Sequence, residues 1–321
     1  MKGSYIVKVH NRRVTYTVEI ERNITIICGN SGTGKTTLIN SLIFYEELGE
    51  KSGVTIESVR PCRVLRGNEW YEKLQKISES IIFIDEGNEF VETKEFAVAI
   101  RNTDNYYVIV SRESLYQLPY SVNSVLQLKR TGSRFKHTYN RTYPMYDKVP
   151  RFGENKSVFD LFITEDTNAG NQMFSLIATK RGIECISAGG KNRILSALKA
   201  NCNRKSLVIA DGAAFGSNMA AVYQYLMLHE DSMLLYLPES FEWLVLSALF
   251  SNNPEIKSIL TNPADHIDCQ EHISWEQYFT YLLRQTTRGT PAEYNKSRLK
   301  EYYFGEDKVE KIEKIIEQGM E

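Results

Sequence analysis

Hydrophobic and polar positions alternate over residues 4–10 and again over 14–20, and the polar triplet Asn11-Arg12-Arg13 between them predicts a β-hairpin. Beyond it the pattern shifts to short apolar runs. Asn23–Cys28, Ser80–Ile84 and Tyr106–Val110 read as strands, and Thr37–Ile43 as the apolar start of a helix. Val122–Leu128 and Phe135–Tyr139, flanking Thr131-Gly132-Ser133, predict a closing hairpin. A turn-rich segment follows, from Arg141-Thr142-Tyr143-Pro144 to Asn155. The pattern then restarts, with strands at Val158–Ile163, Ile183–Ile186, Ser206–Ala210 and Met233–Leu237. Helices near Asn171–Lys180, Lys191–Ala200 and Ser217–His229 separate them. Strands alternating with helices predict parallel α/β sheets. Residues 251–321 read as helical, Trp275–Leu283 giving an apolar face and Glu306–Gln318 an amphipathic helix. The expected organisation is an α/β domain over 1–148, a second α/β domain over 156–250 and a helical extension over 251–321.

Composition narrows the picture only in part. At 321 residues the chain is long enough for two buried cores, and 42% hydrophobic with 25% charged residues is ordinary for a globular protein. A net charge of −1 excludes a global field that attracts nucleic acid, so such binding requires a local patch. The five cysteines are scattered without a C-x-x-C pair, which argues against a structural zinc or a disulfide framework and for a reducing cytoplasm. Neither a signal peptide nor an apolar run long enough to span a bilayer is expected.

The chemistry concentrates first at Gly29-Asn30-Ser31-Gly32-Thr33-Gly34-Lys35-Thr36, which is G-x-x-x-x-G-K-[ST] with a strand before it and an apolar helix after it. Such a loop curls successive N–H groups onto phosphate oxygens at a helix N-terminus. These residues and Thr37 are the candidate nucleotide ligands, with Lys35 reaching the β- and γ-phosphates and Thr36 helping to hold Mg²⁺. The strand Ser80–Ile84 closes in Asp85-Glu86, a Walker B pattern in which Asp85 orients Mg²⁺ and Glu86 polarises the attacking water. Ser111-Arg112, ending the third strand, is placed to sense a γ-phosphate, and Arg112 and Arg101 are candidate stabilising arginines. About fifty residues separate Lys35 from Asp85 and include no L-S-G-G-Q-like signature, so an ABC-type head is excluded. The expectation is a P-loop NTPase domain with a parallel-sheet core that binds and hydrolyses ATP; a small P-loop kinase is the weaker alternative.

In the second half acidic residues fall just past strand ends: Glu165, then Asp211, then Glu239 or Glu242. The carboxyl ends of parallel strands form the binding crevice. Carboxylates converging there would make an oxygen-rich site for Mg²⁺, or Mn²⁺, of the kind used in phosphoryl transfer. Glu165, Asp211 and Glu242 are the candidate metal ligands, Glu165 and Asp211 the candidate catalytic pair. Arg284, Arg288, Lys296, Arg298 and Lys300, with Tyr294, Tyr302 and Tyr303 among them, form a basic cluster that either contacts nucleic acid or is a solvated helix face over core aromatics. His266, Cys269 and His272 lie near one another without metal-ligand spacing.

Ile163-Thr164-Glu165-Asp166-Thr167, Ser187-Ala188-Gly189-Gly190-Lys191-Asn192, Val208-Ile209-Ala210-Asp211-Gly212-Ala213 and Ser240-Phe241-Glu242-Trp243-Leu244 together resemble a TOPRIM domain, the metal-dependent module of topoisomerases, primases and OLD-family nucleases. An ATPase half followed by a TOPRIM-like half resembles the OLD family. The sequence departs from TOPRIM domains at Ala213, where they carry the second aspartate of Asp-x-Asp. The resemblance implies an ATPase controlling a metal-dependent nuclease on DNA or RNA, in phage defence or a mobile element. Its alternative is a nucleotide-dependent switch whose degenerate TOPRIM-like half binds a partner protein or nucleic acid without cleaving. The expected partners are therefore a nucleotide, DNA or RNA, a partner protein and further copies of the chain, and not a membrane.

Overall fold

Strands β1 (Tyr5–His10) and β2 (Val14–Ile20) pair antiparallel, as their alternation predicts, and begin the larger of two sheets in a computed structural model that describes residues 1–30, 32–146 and 159–320. Ser31 of the glycine loop, and Asn155 and Val158 at the expected restart of the pattern, lie outside the described residues. The chain divides into two units, Met1–Asp147 with Ala264–Ser274, and Lys148–Pro263 with Trp275–Glu321.

The first unit continues with β3 (Ile24–Cys28), α1 (Lys35–Leu48), β4 (Thr55–Glu57), β5 (Cys62–Val64), α2 (Trp70–Leu74), β6 (Ile81–Ile84), α3 (Lys94–Ala99), β7 (Tyr106–Val110), β8 (Val125–Arg134) and β9 (His137–Pro144). Its nine strands run β4-β1-β2-β9-β8-β3-β7-β6-β5, and the stretch from β8 to β5 is parallel throughout. The central strands are buried on both faces, which is why they read as unbroken apolar runs. Successive residues divide between two cores: Phe83, Val108 and Val110 with Leu38 and Leu42 of α1 on one side, Ile82, Ile84, Tyr107 and Ile109 with Phe96 of α3 on the other. The 264–274 segment, expected in the helical tail, belongs to this unit. It adds Cys269 to the first core and Ile273 to the second, and Gly3 N donates to Ala264 O at 2.7 Å.

The closing hairpin turns later than its glycine suggests. Phe135 and Lys136 form the turn with φ of 45° and 68°, and Gly132 instead marks a bulge in β8. Arg141–Pro144, expected to be turn, completes β9 because its backbone pairs with Leu126–Lys129.

The second unit begins its described part with β10 (Leu161–Thr164), followed by α4 (Ala169–Lys180), β11 (Glu184–Ser187), α5 (Ile194–Ala200), β12 (Ser206–Ile209), α6 (Gly216–Met227), β13 (Met233–Tyr236), α7 (Phe241–Val245) and α8 (Pro254–Thr261). A single turn, α9 (Pro263–His266), spans the passage to the first unit, and α10 (Trp275–Thr287) and α11 (Glu306–Met320) complete the second. Its sheet is wholly parallel, in the order β11-β10-β12-β13. The molecule is thus α/β, with a large, mostly parallel sheet and flanking helices. Among the described residues no helix is long and apolar enough to cross a membrane.

Candidate functional site

In the first unit, β3 delivers the chain into the glycine loop and α1 receives it. Gly29, Gly32 and Gly34 all have positive φ, 113°, 81° and 94°. Gly34 has to be glycine twice over: it is left-handed, and a Cβ there would lie 2.8 Å from the Tyr16 hydroxyl. Tyr16, on β2, is buried and hydrogen-bonds the Thr37 side chain, so it braces the loop from beneath. Nothing in the sequence pattern distinguishes this tyrosine from an ordinary core residue.

Lys35 is 5% exposed and its ammonium donates to Gly29 O at 2.6 Å, Asn30 O at 2.9 Å and Thr33 Oγ1 at 3.3 Å. Three donors meet three acceptors, all supplied by the loop itself. The Thr33 hydroxyl donates in turn to Asn30 O at 3.2 Å. Helix α1 starts at Gly34 without a side-chain cap and without an acidic residue in its first turn. Its first turn therefore supplies no negative charge to its own positive end, and Thr36 and Thr37 are exposed there.

Strand β7 lies between β3 and β6, and the register puts Ile84 beside Ile109 and Val110 beside Ile27. Continued two residues past the end of β6, the register brings Glu86 level with Ser111, just after β7, and with Cys28 at the end of β3. Asp85 and Glu86 thus leave the sheet at the same end as the glycine loop. Burial raises the Asp85 carboxyl above the usual carboxylate range and the adjacent Glu86 charge adds to it, although Asp85 Oδ1 accepts from Glu86 N at 2.9 Å. Asn88 fixes this turn, donating to Asp85 O at 2.9 Å and accepting from Gly67 N at 3.2 Å. Arg112 Nε is 2.8 Å from Glu86 Oε1. Ser111 is not turned outward, since its hydroxyl donates to Glu113 O at 2.9 Å. Arg101 precedes β7 and so belongs to the opposite end of the sheet.

In the second unit the two central strands bring Glu165 and Asp211 together. Asp211 N donates to Glu165 Oε2 at 3.0 Å, and Phe241 N donates to Asp211 Oδ1 at 3.2 Å. Gly212 permits this because a Cβ there would lie 3.0 Å from the carbonyl oxygens of both Leu237 and Pro238. Asp166 does not join them: its two oxygens accept from Asn168 N at 2.9 Å and Gly170 N at 2.8 Å, at the start of α4. Glu239 follows β13, and its backbone carbonyl accepts from Ala213 N at 3.1 Å.

Glu242 lies in the first turn of α7, 1% exposed, where it accepts from the Tyr294 hydroxyl at 2.8 Å, with Lys296 Nζ at 4.0 Å. Burial and then the Glu242 charge push the Tyr294 phenol up, keeping it a donor. Among the described residues no group of three or more His, Cys, Asp or Glu side chains is arranged to hold a metal ion, the Glu165, Asp211 and Glu242 trio and the His266, Cys269 and His272 group included. Glu242 is instead engaged as the acceptor of a tyrosine hydroxyl.

A carboxylate missed in the sequence stands nearby. Glu276, on α10, lines a cavity of about 390 Å³ together with Glu165, Lys191, Asn192, Arg193 and Ala214. Lys296 Nζ is 2.9 Å from Glu276 Oε1. Burial opposes the Lys296 charge, but Glu276 and then Glu242 outweigh it and raise the ammonium. Asp211 is raised by burial first, then by the charges of Glu276, Glu165 and Glu242. Ala213 is 2% exposed, so an aspartate in its place would add a buried charge to this crowd. Only the i, i+3 and i+4 phase of α10 hinted at Glu276, and an acidic residue in a helix's first turn is common.

Two of the five basic tail residues, Lys296 and Lys300, are engaged in local ion pairs. Lys300 Nζ is 2.8 Å from Glu293, Lys296 faces Glu276, and Tyr294 and Tyr303 are buried. These two tyrosines therefore belong to the core and present no ring to solvent.

Burial pushes Glu165 up to about 7 from 4.5. Between those values the folded protein retains a proton that the unfolded chain has lost, so this group's contribution to stability falls as pH rises and is lowest above pH about 7. Glu165→Gln keeps an oxygen for Asp211 N and cannot ionise. The variant's Tm relative to wild type should therefore rise by several degrees between pH 5 and pH 8 in EDTA, from a difference of order 2 kcal/mol. Thermal melts across that range check it; a difference independent of pH would contradict the buried-carboxylate account.

No protein-family model matches the chain, and no characterised protein matches it significantly in sequence.

Proposed function

We propose that the first unit is a P-loop NTPase domain that binds and hydrolyses ATP, and that it controls a TOPRIM-like, metal-dependent phosphodiesterase in the second unit acting on DNA or RNA. The observation that carries the reading is Lys35, a buried ammonium whose acceptors among the described residues all come from its own glycine loop, at a helix whose first turn has no acidic residue. Its three acceptors can be exchanged for phosphate oxygens with no other bond in the fold given up. Gly29, Asn30, Gly32, Thr33 and Gly34 would wrap the phosphates, as would Ser31, and Thr36 and Thr37 would face them from the start of α1. Glu86, held by Arg112, would orient and deprotonate the attacking water, a role that fits ATP hydrolysis better than transfer to an acceptor.

A hard divalent cation at either place would have two side-chain oxygen donors from the chain and would take its remaining ligands from water and phosphate. Mg²⁺ is commonly held through one or two carboxylates plus waters and phosphates. Thr36 and Asp85 would hold it with the nucleotide; Glu165 and Asp211, with Glu276 nearby, would hold Mg²⁺ or Mn²⁺ in the second unit. Bound there, the ion would neutralise charge on the phosphate and lower the pKa of a water. Burial raises the carboxyls of Asp85, Glu165 and Asp211, and neighbouring carboxylates add to it, so a cation bound beside them would favour their ionised forms. In the second unit Lys191, whose ammonium donates to Ala214 O at 2.8 Å, and Arg193 line the same cavity and would hold a phosphodiester oxygen.

The second reading, a switch that binds without cleaving, is favoured by one observation: Lys296 already places a cation against Glu276 and near Glu242. A cleavage assay on supercoiled DNA, single-stranded DNA and tRNA decides between them, run with Mg²⁺ or Mn²⁺ and with or without ATP. Cleavage by wild type that is lost in Asp211→Ala, and no longer responds to ATP in Lys35→Ala, supports the nuclease. ATP hydrolysis with no cleavage under any condition supports the switch.

A further inference from the structure

From Ser114 to Tyr146 the sequence contains neither aspartate nor glutamate, in a chain whose net charge is −1. This stretch contains the β8–β9 hairpin. Near the sheet β8 buries Val125, Leu126 and Leu128, but every residue from Lys129 to Arg134 is exposed. A strand exposed on both faces has left the core behind, so its side chains are not chosen for packing. Lys129, Arg130, Arg134 and Lys136 occupy this outer part, and the β1–β2 turn adds Arg12 and Arg13. The two tips adjoin: Thr138 N donates to Arg13 O at 2.8 Å, and His137 lies 3.2 Å from Arg12 O. None of these six cations is ion-paired among the described residues, whereas Arg141 is paired with Glu19.

Two features of the hairpin work against its own stability. The turn sets a phenylalanine at φ 45° where such turns favour Asn-Gly. That phenylalanine, Phe135, is 91% exposed, with the Arg134 guanidinium 5.5 Å from its ring centre. Tyr139 on β9 is exposed as well. Unpaired cations interleaved with exposed rings match a phosphate backbone whose bases are free to stack.

We infer that the outer β8–β9 hairpin, with the β1–β2 turn, is a binding surface for single-stranded nucleic acid. The cations track the phosphates and Phe135 stacks on an unpaired base. This rests on the reading that the chain acts on nucleic acid, and it assigns the contact to a face of the first unit remote in sequence from the acidic cavity.

The test is fluorescence anisotropy of the full chain with a short labelled single-stranded DNA or RNA, in an Asp211→Asn background so that cleavage cannot consume the probe. Combined Arg130→Gln, Arg134→Gln and Lys136→Gln should weaken binding by about tenfold or more and flatten the slope of log K against log salt by about 2. Phe135→Ala alone should cost about fivefold or more at unchanged salt slope. Unchanged Tm in both variants separates these losses from unfolding. Equal affinity of the triple variant and its parent would overturn the inference, as would a hairpin-dependent preference for duplex DNA or for phosphatidylserine vesicles over single strands. Hairpin-dependent binding by a protein that cleaves nothing leaves the inference standing and removes only the nuclease reading.

Discussion

Glu86→Gln should lower ATP turnover by about a hundredfold or more while leaving ATP affinity within a few-fold of wild type. The carboxylate stands at the exit of β6, level with Ser111 just after β7 and Cys28 on β3, and among the described residues its one ion pair is with Arg112 at 2.8 Å. The amide is isosteric and can still accept from Arg112, but it cannot take a proton from water. Both partners are substantially exposed, so the pair is worth little to stability and the variant should melt near wild type. Phosphate release under saturating ATP, set beside a binding titration, separates the two effects. A variant that turns over normally would remove Glu86 from the chemistry and revive transfer to an acceptor, which a labelled-phosphate assay would show.

Gly34→Ala should have an effect of similar size, on binding instead of turnover. The new methyl meets two obstacles: a backbone φ of 94°, which alanine avoids, and the Tyr16 hydroxyl 2.8 Å away with ring carbons at 3.3 and 3.4 Å. Tyr16 is 2% exposed and its hydroxyl is tied to Thr37, so it has little room to retreat. The strain is relieved by moving the loop, which displaces the carbonyls that position Lys35. The expected loss of nucleotide affinity is tens-fold to a hundredfold, read by titration with a fluorescent ATP analogue. Adding Tyr16→Phe removes the closest contact but not the dihedral strain, so it should recover part of the loss. Full recovery would assign the whole effect to the steric clash, and no recovery would assign it to the backbone.

The elements legible in the sequence were those in which neighbours along the chain are also neighbours in space. The glycine loop is one continuous segment, and the central strands of the first sheet are buried on both faces, so an unbroken apolar run identifies them. Glu276 was illegible for the opposite reason. It reaches the Glu165 cavity from a helix that follows an excursion of the chain into the first unit, and in its own helix it looks like an N-terminal acid. Tyr16 was hidden because a buried tyrosine on an alternating strand needs no function to explain it. The hairpin was misplaced because Gly132 signals a turn, while the structure uses it for a bulge and sets Phe135 and Lys136 at positive φ. Glu242 was identified as acidic and crevice-side, but the sequence could not reveal that Tyr294 claims its oxygen.

Nucleotide binding requires the Lys35 ammonium to exchange its loop acceptors for phosphate, and isothermal titration of ATP with Mg²⁺ into wild type and Lys35→Ala measures that directly. Saturable binding by the wild type, with affinity reduced about a hundredfold or more in the folded variant, is the predicted result. Failure of the wild type to bind, or equal binding by both proteins, would contradict it.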